Sequence, residues 1–305
     1  MASSGLKKSQ FSSVERENEK IRKGIEETGS DVIVLKGNKR KSVARTLFFL
    51  AIGILFFIMM WWIVSETYNK YWMYSLRFPT PEIVFDRLNS LFFDDLKISG
   101  ETIYTHIIAS LKRWMAGFVI GFTIGLLLGV ILSSNDKLYE FGMVPVSLWQ
   151  MVPSLAWLPV TILLFGFGNN AAIFIISASV IAPIAINIAN GIRRVPPVYK
   201  KLSLMAEKPW DVRTLSVMVP YASLDVVTGL RIGMANGWRT LISAEMVIGV
   251  MIGLGWTINA ATQLSSYATA FACIVIICAI GVVIDRLILA TIEKTVRKKV
   301  GLEDL

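Results

Sequence analysis

The sequence predicts an all-α integral membrane protein with six transmembrane helices. Three observations carry this. Apolar residues make up 54% of the 305-residue chain and charged residues only 17%, whereas a soluble domain sits nearer a quarter charged. Six runs approach the ~20 apolar residues that a helix needs to cross a bilayer core. The positive charges, a net +9, gather in alternate connecting segments, the bias that cytoplasmic loops show. So much apolar surface has no place in one water-soluble core, and lipid must cover part of it.

The leading segment, 1–43, is polar and mixed in charge. Its basic end, Lys39-Arg40-Lys41, suits a tail lying against anionic lipid, and Ser12 to Ile25 has the pattern of a short surface helix. The first apolar run, Ala44 to Val64, sits in the span 44–66. It is too long, and too far from the start, for a cleavable signal. Segment 67–102 is expected outside. In it, Arg77-Phe78-Pro79-Thr80-Pro81 reads as a turn, and a helix is expected from Glu82 to Leu96 with Pro81 in its first turn.

The core, 103–292, holds the other five runs. They lie near Ile107 to Leu132, Met143 to Leu164, Ala171 to Ile192, Leu224 to about Ile252, and Ala268 to about Thr291. Pro145, Pro153 and Pro159 interrupt the third span, which is tolerated where neighbours satisfy the freed carbonyls. A short tail, 293–305, closes the chain.

Six spans put both ends on one side. Twenty-two Lys and Arg residues fall in residues 1–45, at Lys137, in the 193–213 loop and in the tail. Only Lys70, Arg77, Arg87 and Lys97 fall on the opposite side. Both termini are therefore expected in the cytoplasm. Topology thus accounts for the basic balance and leaves a nucleic-acid partner nothing to explain. Lys112 and Arg113, near the outer end of span two, are expected to snorkel to the interface.

Chemistry-bearing motifs are sparse. Cys273 and Cys278 share one apolar run and read as small hydrophobes rather than a disulfide framework. His106 is the single histidine; at a helix start it is expected to be solvated or capping. No G-x-x-x-x-G-K-[ST], H-E-x-x-H or Gly-x-Ser-x-Gly pattern occurs. The chain is therefore not expected to be an enzyme, to hold a metal or to bind nucleotide.

Two segments carry mechanism. The cytoplasmic loop Gly191 to Pro220 is not purely polar: Val198, Leu202, Leu204, Met205 and Ala206 form an apolar face among lysines. After Pro209, Val212, Leu215 and Val219 recur at helical spacing. An exposed apolar hairpin needs a partner. Either it packs on its own membrane helices, or Leu202, Met205, Ala206, Glu207, Lys208, Pro209 and Trp210 dock an energy-coupling protein. The other segment is span five, with Arg231, Trp238, Arg239, Ser243 and Glu245. Charges inside a span face the bundle interior. Arg231, Trp238 and Glu245 share a stripe within about 40°, and Arg239 lies on another face, one turn from Ser243. The helix either lines a translocation pathway, with an arginine attracting an anion, or neutralises Glu245 with an arginine between helices. Gly229, Gly233 and Gly237 repeat every four residues, the spacing of close helix approach.

Here the sequence resembles a family. Permease subunits of binding-protein-dependent ABC importers carry E-A-A-x-x-x-G in their longest cytoplasmic loop, followed by I-x-L-P and then G-L-R. This chain has Val217-Met218-Val219-Pro220 and Gly229-Leu230-Arg231, while Lys201-Leu202-Ser203 and Glu207 stand at the E-A-A and glycine positions. The later half matches and the earlier half departs. Met143 to Gly168, with its P-x-L-A-x-L-P and I-L-x-F-G-x-G elements, is similar to the nitrate, sulfonate, taurine and bicarbonate subgroup. So are Ala244-Glu245-Met246, Gly253-Leu254-Gly255 and Arg77-Phe78-Pro79-Thr80-Pro81. The likeness covers roughly residues 75–295.

The resemblance implies a type I importer core with a coupling-helix loop, paired as a permease homodimer in a bacterial cytoplasmic membrane. ABC ATPase subunits would dock below, using ATP and Mg, and an extracytoplasmic solute-binding protein would deliver a small anion from above. A self-contained secondary transporter or channel is the alternative; it would need no apolar cytoplasmic hairpin. A non-transporting membrane scaffold is a third, against which the polar residues of span five speak.

Overall fold

The computed structural model describes residues 39–71, 77–94, 96–205 and 218–299. The described residues are helices and their connections, with one isolated bridge between Ile98 and Glu101. The chain falls into two compact units, 1–61 and 62–305. In the first, the described part is the beginning of helix α1 (Lys39–Tyr71). From Phe48 to Met60 its large apolar side chains are exposed on every face. A helix apolar all round is suited to lipid rather than water.

The second unit holds the remaining helices. These are α2 (Pro81–Phe93), α3 (Ile103–Leu132), α4 (Asp136–Met151), α5 (Leu158–Phe165), α6 (Asn169–Arg193), α7 (Pro197–Met205), α8 (Ser223–Val247), α9 (Leu254–Gln263), α10 (Tyr267–Val283) and α11 (Ala290–Lys299). A π-helical stretch, Ile284–Leu289, joins the last two. Four stretches are long and apolar enough to cross a bilayer: Phe48–Tyr71, Ile103–Leu132, Asn169–Arg193 and Tyr267–Lys298.

The third expected span is not one helix. α4 and the Ser154–Phe165 segment form a pair bent by 98°. The bend has a local cause. Pro153 disfavours a helical residue before it, and Val152 accordingly takes extended dihedrals, φ −74° and ψ 121°. Counted together, the pair makes a fifth span. α8 has the 25 residues to cross, about 37 Å of helix. Asp225, Arg231, Arg239 and Glu245 leave it outside the group that qualifies by composition alone. It also ends at Val247 rather than near Ile252: Gly249 turns the chain with φ 71°, and α9 begins five residues later. α2 stops at Phe93, short of the expected Leu96.

α6 is the buried axis of the unit, with α3 on one side and α8 on another. Glycines make both approaches close. On α3, Gly117, Gly121, Gly125 and Gly129 fall every fourth residue. A Cβ on Gly121 would lie 2.7 Å from the Ser177 carbonyl oxygen, and one on Gly129 2.8 Å from that of Ala185. On α8, a Cβ on Gly229 would meet Asn187 at 2.9 Å, and one on Gly233 would meet Ile184 at 3.0 Å. With no hydrophobic force between helices in lipid, such close packing supplies the cohesion.

Two expectations about α3 need correction. Lys112 is exposed, but Arg113 is not at the interface; it is buried, with 8% of its surface exposed. His106 is fully buried rather than solvated. Both side chains lie on the stripe His106, Ser110, Arg113, Gly117, which faces the packed interior.

Candidate functional site

The polar residues of α8 occupy three levels, each with its own chemistry. At the C-terminal level, Glu245 is wholly buried. Its carboxylate accepts from the Ser110 hydroxyl at 2.8 and 2.9 Å, from Arg113 Nη1 at 2.5 Å and from the Gly255 N–H at 2.9 Å. Arg113 spends its other donors on Asn169 Oδ1 at 2.6 Å and the Ile252 carbonyl at 2.5 Å. The Leu254 N–H donates to Ser110 Oγ and the Gly253 N–H to His106 Nδ1, at 2.9 and 3.0 Å. With Nδ1 accepting, the imidazole proton resides on Nε2, which faces the Ile98 carbonyl at 3.2 Å.

This arrangement completes the start of α9. The first amides of a helix have no partner within it; here three side chains from α3 and α8 take them. A carboxylate at that positive end is favourable as well. The Gly253-Leu254-Gly255 pattern follows from closeness: a Cβ on Gly253 would lie 2.6 Å from the Glu245 carboxyl, and one on Gly255 would collide with the Ile242 carbonyl. The cluster is therefore a brace tying α3, α6, α8 and α9 together. Its ion pair joins residues 132 apart in sequence.

At the middle level, Trp238 and Arg239 point different ways. Trp238 is buried and edge-on to Trp114, with ring centroids 5.7 Å apart. Arg239 is exposed on a cavity of about 330 Å³. Trp149, Gln150, Trp157 and Asn236 share its lining. Arg239 Nε donates to the Ala235 carbonyl at 3.2 Å and Nη2 to Asn236 Oδ1 at 2.7 Å. Among the described residues no carboxylate pairs with it. Ser243 donates to the Arg239 carbonyl at 3.2 Å and so stays within its own helix. On the same lining, the indoles of Trp149 and Trp157 stack at 4.5 Å. The Trp149 N–H donates to the Ala178 carbonyl, and Ser154 bonds Thr240 at 2.8 Å.

At the N-terminal level, Arg231 pairs with Asp285 in the π-helical stretch and with Glu293 of α11, at 3.0 and 3.1 Å. All three side chains are partly exposed, so this is a wet network.

The five residues expected along a pathway are thus divided. Arg239 alone lines the cavity; Glu245 and Arg231 are satisfied by protein partners, and Glu245 is neutralised by Arg113 rather than by an arginine of α8. Sequence patterning passed over Ser110 and placed Arg113 at the interface and His106 at a solvated or capping position. Their spacing of four and three residues on one helix face was the available signal. Of the expected docking residues, α7 carries Met205, which is 80% exposed. Ala206, Glu207, Lys208, Pro209 and Trp210, and the side chain of Leu202, lie outside the described residues.

Comparison with known proteins agrees with this architecture. Residues 121–298 match the family described as binding-protein-dependent transport system inner membrane component. The bicarbonate transport system permease protein CmpB of Synechococcus elongatus is 30% identical over 241 residues, which cover 77% of this chain and 84% of that protein. The putative aliphatic sulfonates transport permease protein SsuC of Bacillus subtilis is 32% identical over 68% of this chain and 72% of its own. The taurine transport system permease protein TauC of Escherichia coli is 27% identical over 77% and 84%. A solved structure of the MetNI methionine ABC transporter, in an inward-facing conformation, matches in fold with a TM-score of 0.55. It covers 62% of this chain and 93% of its own at 20% identity. With the family pattern running through α3 to α11, the chain belongs to the inner membrane components of binding-protein-dependent transport systems.

Proposed function

We propose that this chain is the membrane half of an ATP-driven importer for a small anion. A homodimer of it would work with ABC ATPase subunits on the cytoplasmic side and an extracytoplasmic solute-binding protein. The observation that carries the anion reading is Arg239, a guanidinium on a cavity with no carboxylate partner among the described residues. A cation in a low-dielectric setting needs water, a carbonyl or an anion beside it. Relatives named for bicarbonate, sulfonate and taurine transport support the same reading.

ATP hydrolysis belongs to the partner subunits. Their closure would draw the α7 segments together through exposed Met205 and the residues after it, and the helices would rock from an outward to an inward opening. Both termini are cytoplasmic in this reading, as the charge bias requires.

Co-expression with an ABC ATPase and a solute-binding protein, followed by uptake in proteoliposomes, tests it. Accumulation of nitrate, bicarbonate or taurine should require ATP and all partners. Flux without the ATPase would favour the secondary transporter instead. Reporter fusions after Lys41 and Lys299 should report cytoplasm and one near Asp94 the outside. A cytoplasmic signal near Asp94 would overturn the orientation.

A further inference from the structure

The cavity beside Arg239 has more room than a bare oxyanion fills, and two indoles share its lining. Its volume of about 330 Å³ is at the lower end of pockets for organic ligands, roughly 300–1,000 Å³. A nitrate or bicarbonate ion, with four heavy atoms, takes roughly twice the share of liquid volume of a water molecule, which is about 30 Å³. The lining is cationic at Arg239 and aromatic at Trp149 and Trp157. The aromatic part is built rigidly. Trp149 and Trp157 stack 4.5 Å apart with their planes 25° from parallel. The Trp149 N–H is held by the Ala178 carbonyl of α6 at 2.9 Å. The turn bearing Trp157 is tied to α8 by the Ser154–Thr240 hydrogen bond. The cationic part is positioned too: Ala235 and Asn236 take Nε and one Nη2 hydrogen of Arg239. The Nη1 hydrogens have no acceptor among the described residues.

We infer that this cavity is a substrate subsite for an organic anion with a flat unsaturated body, an arenesulfonate or aromatic carboxylate. The inference rests on the reading of the chain as an anion permease and narrows it. The anionic group takes the Nη1 side of Arg239 in charge-assisted hydrogen bonds. The ring packs on the indole surface of Trp149 and Trp157, where aromatic contact adds to simple burial. Gln150 and Asn236, on the same lining, offer amides to ring substituents. A bare inorganic anion would fill one end and leave the indole surface wet.

The test is direct binding of benzenesulfonate, methanesulfonate and nitrate to the full-length permease in lipid nanodiscs, by equilibrium dialysis. Benzenesulfonate should bind about ten-fold or more tightly than methanesulfonate, the ratio expected from burying the ring. Arg239→Gln should weaken benzenesulfonate about ten-fold or more, and Arg239→Lys less. Trp157→Leu should bring the benzenesulfonate-to-methanesulfonate ratio towards one. Equal affinity for the two sulfonates overturns the inference, as does an unchanged ratio in Trp157→Leu. Wild-type binding by both Arg239 variants overturns it too. If Arg239→Gln does not assemble, Arg239→Lys and Trp157→Leu still decide. The two readings fail separately. ATP-driven nitrate uptake without aromatic preference removes only this inference. Aromatic preference without ATP-driven uptake removes only the importer.

Discussion

Replacing Arg113 by methionine should be among the most damaging single changes in the described helices. The guanidinium meets Glu245, Asn169 and the Ile252 carbonyl at 2.5–2.6 Å, and Glu245 has no exposed surface. Arg113→Met leaves the carboxylate buried with only Ser110 and the Gly255 amide, and leaves the Ile252 carbonyl without its donor. Removing one partner of a buried pair costs about 3–5 kcal/mol. For a chain of this size that corresponds to a fall in melting temperature on the order of 10 °C. Glu245→Gln alone should cost a similar amount, because Arg113 then remains charged without a counter-charge. In the double variant both charges are gone, so roughly half or more of the loss should return. Equilibrium unfolding of the purified protein in mixed micelles gives the four free energies of a double-mutant cycle. Two single losses below about 1 kcal/mol, or a double variant equal to the sum of the singles, would refute the brace.

The glycine row and the proposed docking segment yield two further expectations. Gly121→Val should prevent stable assembly, since its Cβ alone would come within 2.7 Å of the Ser177 carbonyl and overpacking commonly costs about 1–3 kcal/mol. Gly53→Ala, whose Cβ meets nothing within 4 Å, is the control, and equal yields of the two in a membrane-fraction blot would contradict the tight seam. Met205→Glu should weaken capture of the ATPase about ten-fold while the protein still inserts; unaltered capture and transport would move the docking site elsewhere.

Much of the architecture was legible because lipid imposes a simple rule. A span must satisfy its own backbone and be apolar outside, so runs such as Ala171 to Ile192 announce themselves. Pro153 also announced trouble in the third span, although a bend of 98° depends on what α4 and the Ser154–Phe165 segment pack against. The brace was not legible. Arg113 sits beside Lys112, one residue from a side chain that does reach the surface, and its carboxylate partner is 132 positions away. Hydropathy averages over both residues, whereas burial follows the 100° between them around the helix. Arg239 was picked out by its charge, but nothing in the order of residues tells that Trp149 and Trp157 face the same cavity. The 98° bend brings that segment back to α8.

The glycine seam between α3 and α6 has a mechanical consequence. Side chains that interdigitate can change rotamer and let two helices slide; backbones in contact have no such slack. From Gly117 to Gly129, carbonyls and β-carbons of α6 bear directly on the neighbouring main chain, whereas from Gly229 to Gly237 the α6 neighbours are mostly side-chain atoms of Asn187, Ile184 and Val180. A slide of even one residue would drive a methyl group or carbonyl into the opposing helix. α3 and α6 therefore form one stiff plate. Whatever strokes the transport cycle contains must be taken up at its margins, where α4 folds back through a bent turn and α10 passes into α11 through a wound-out π segment.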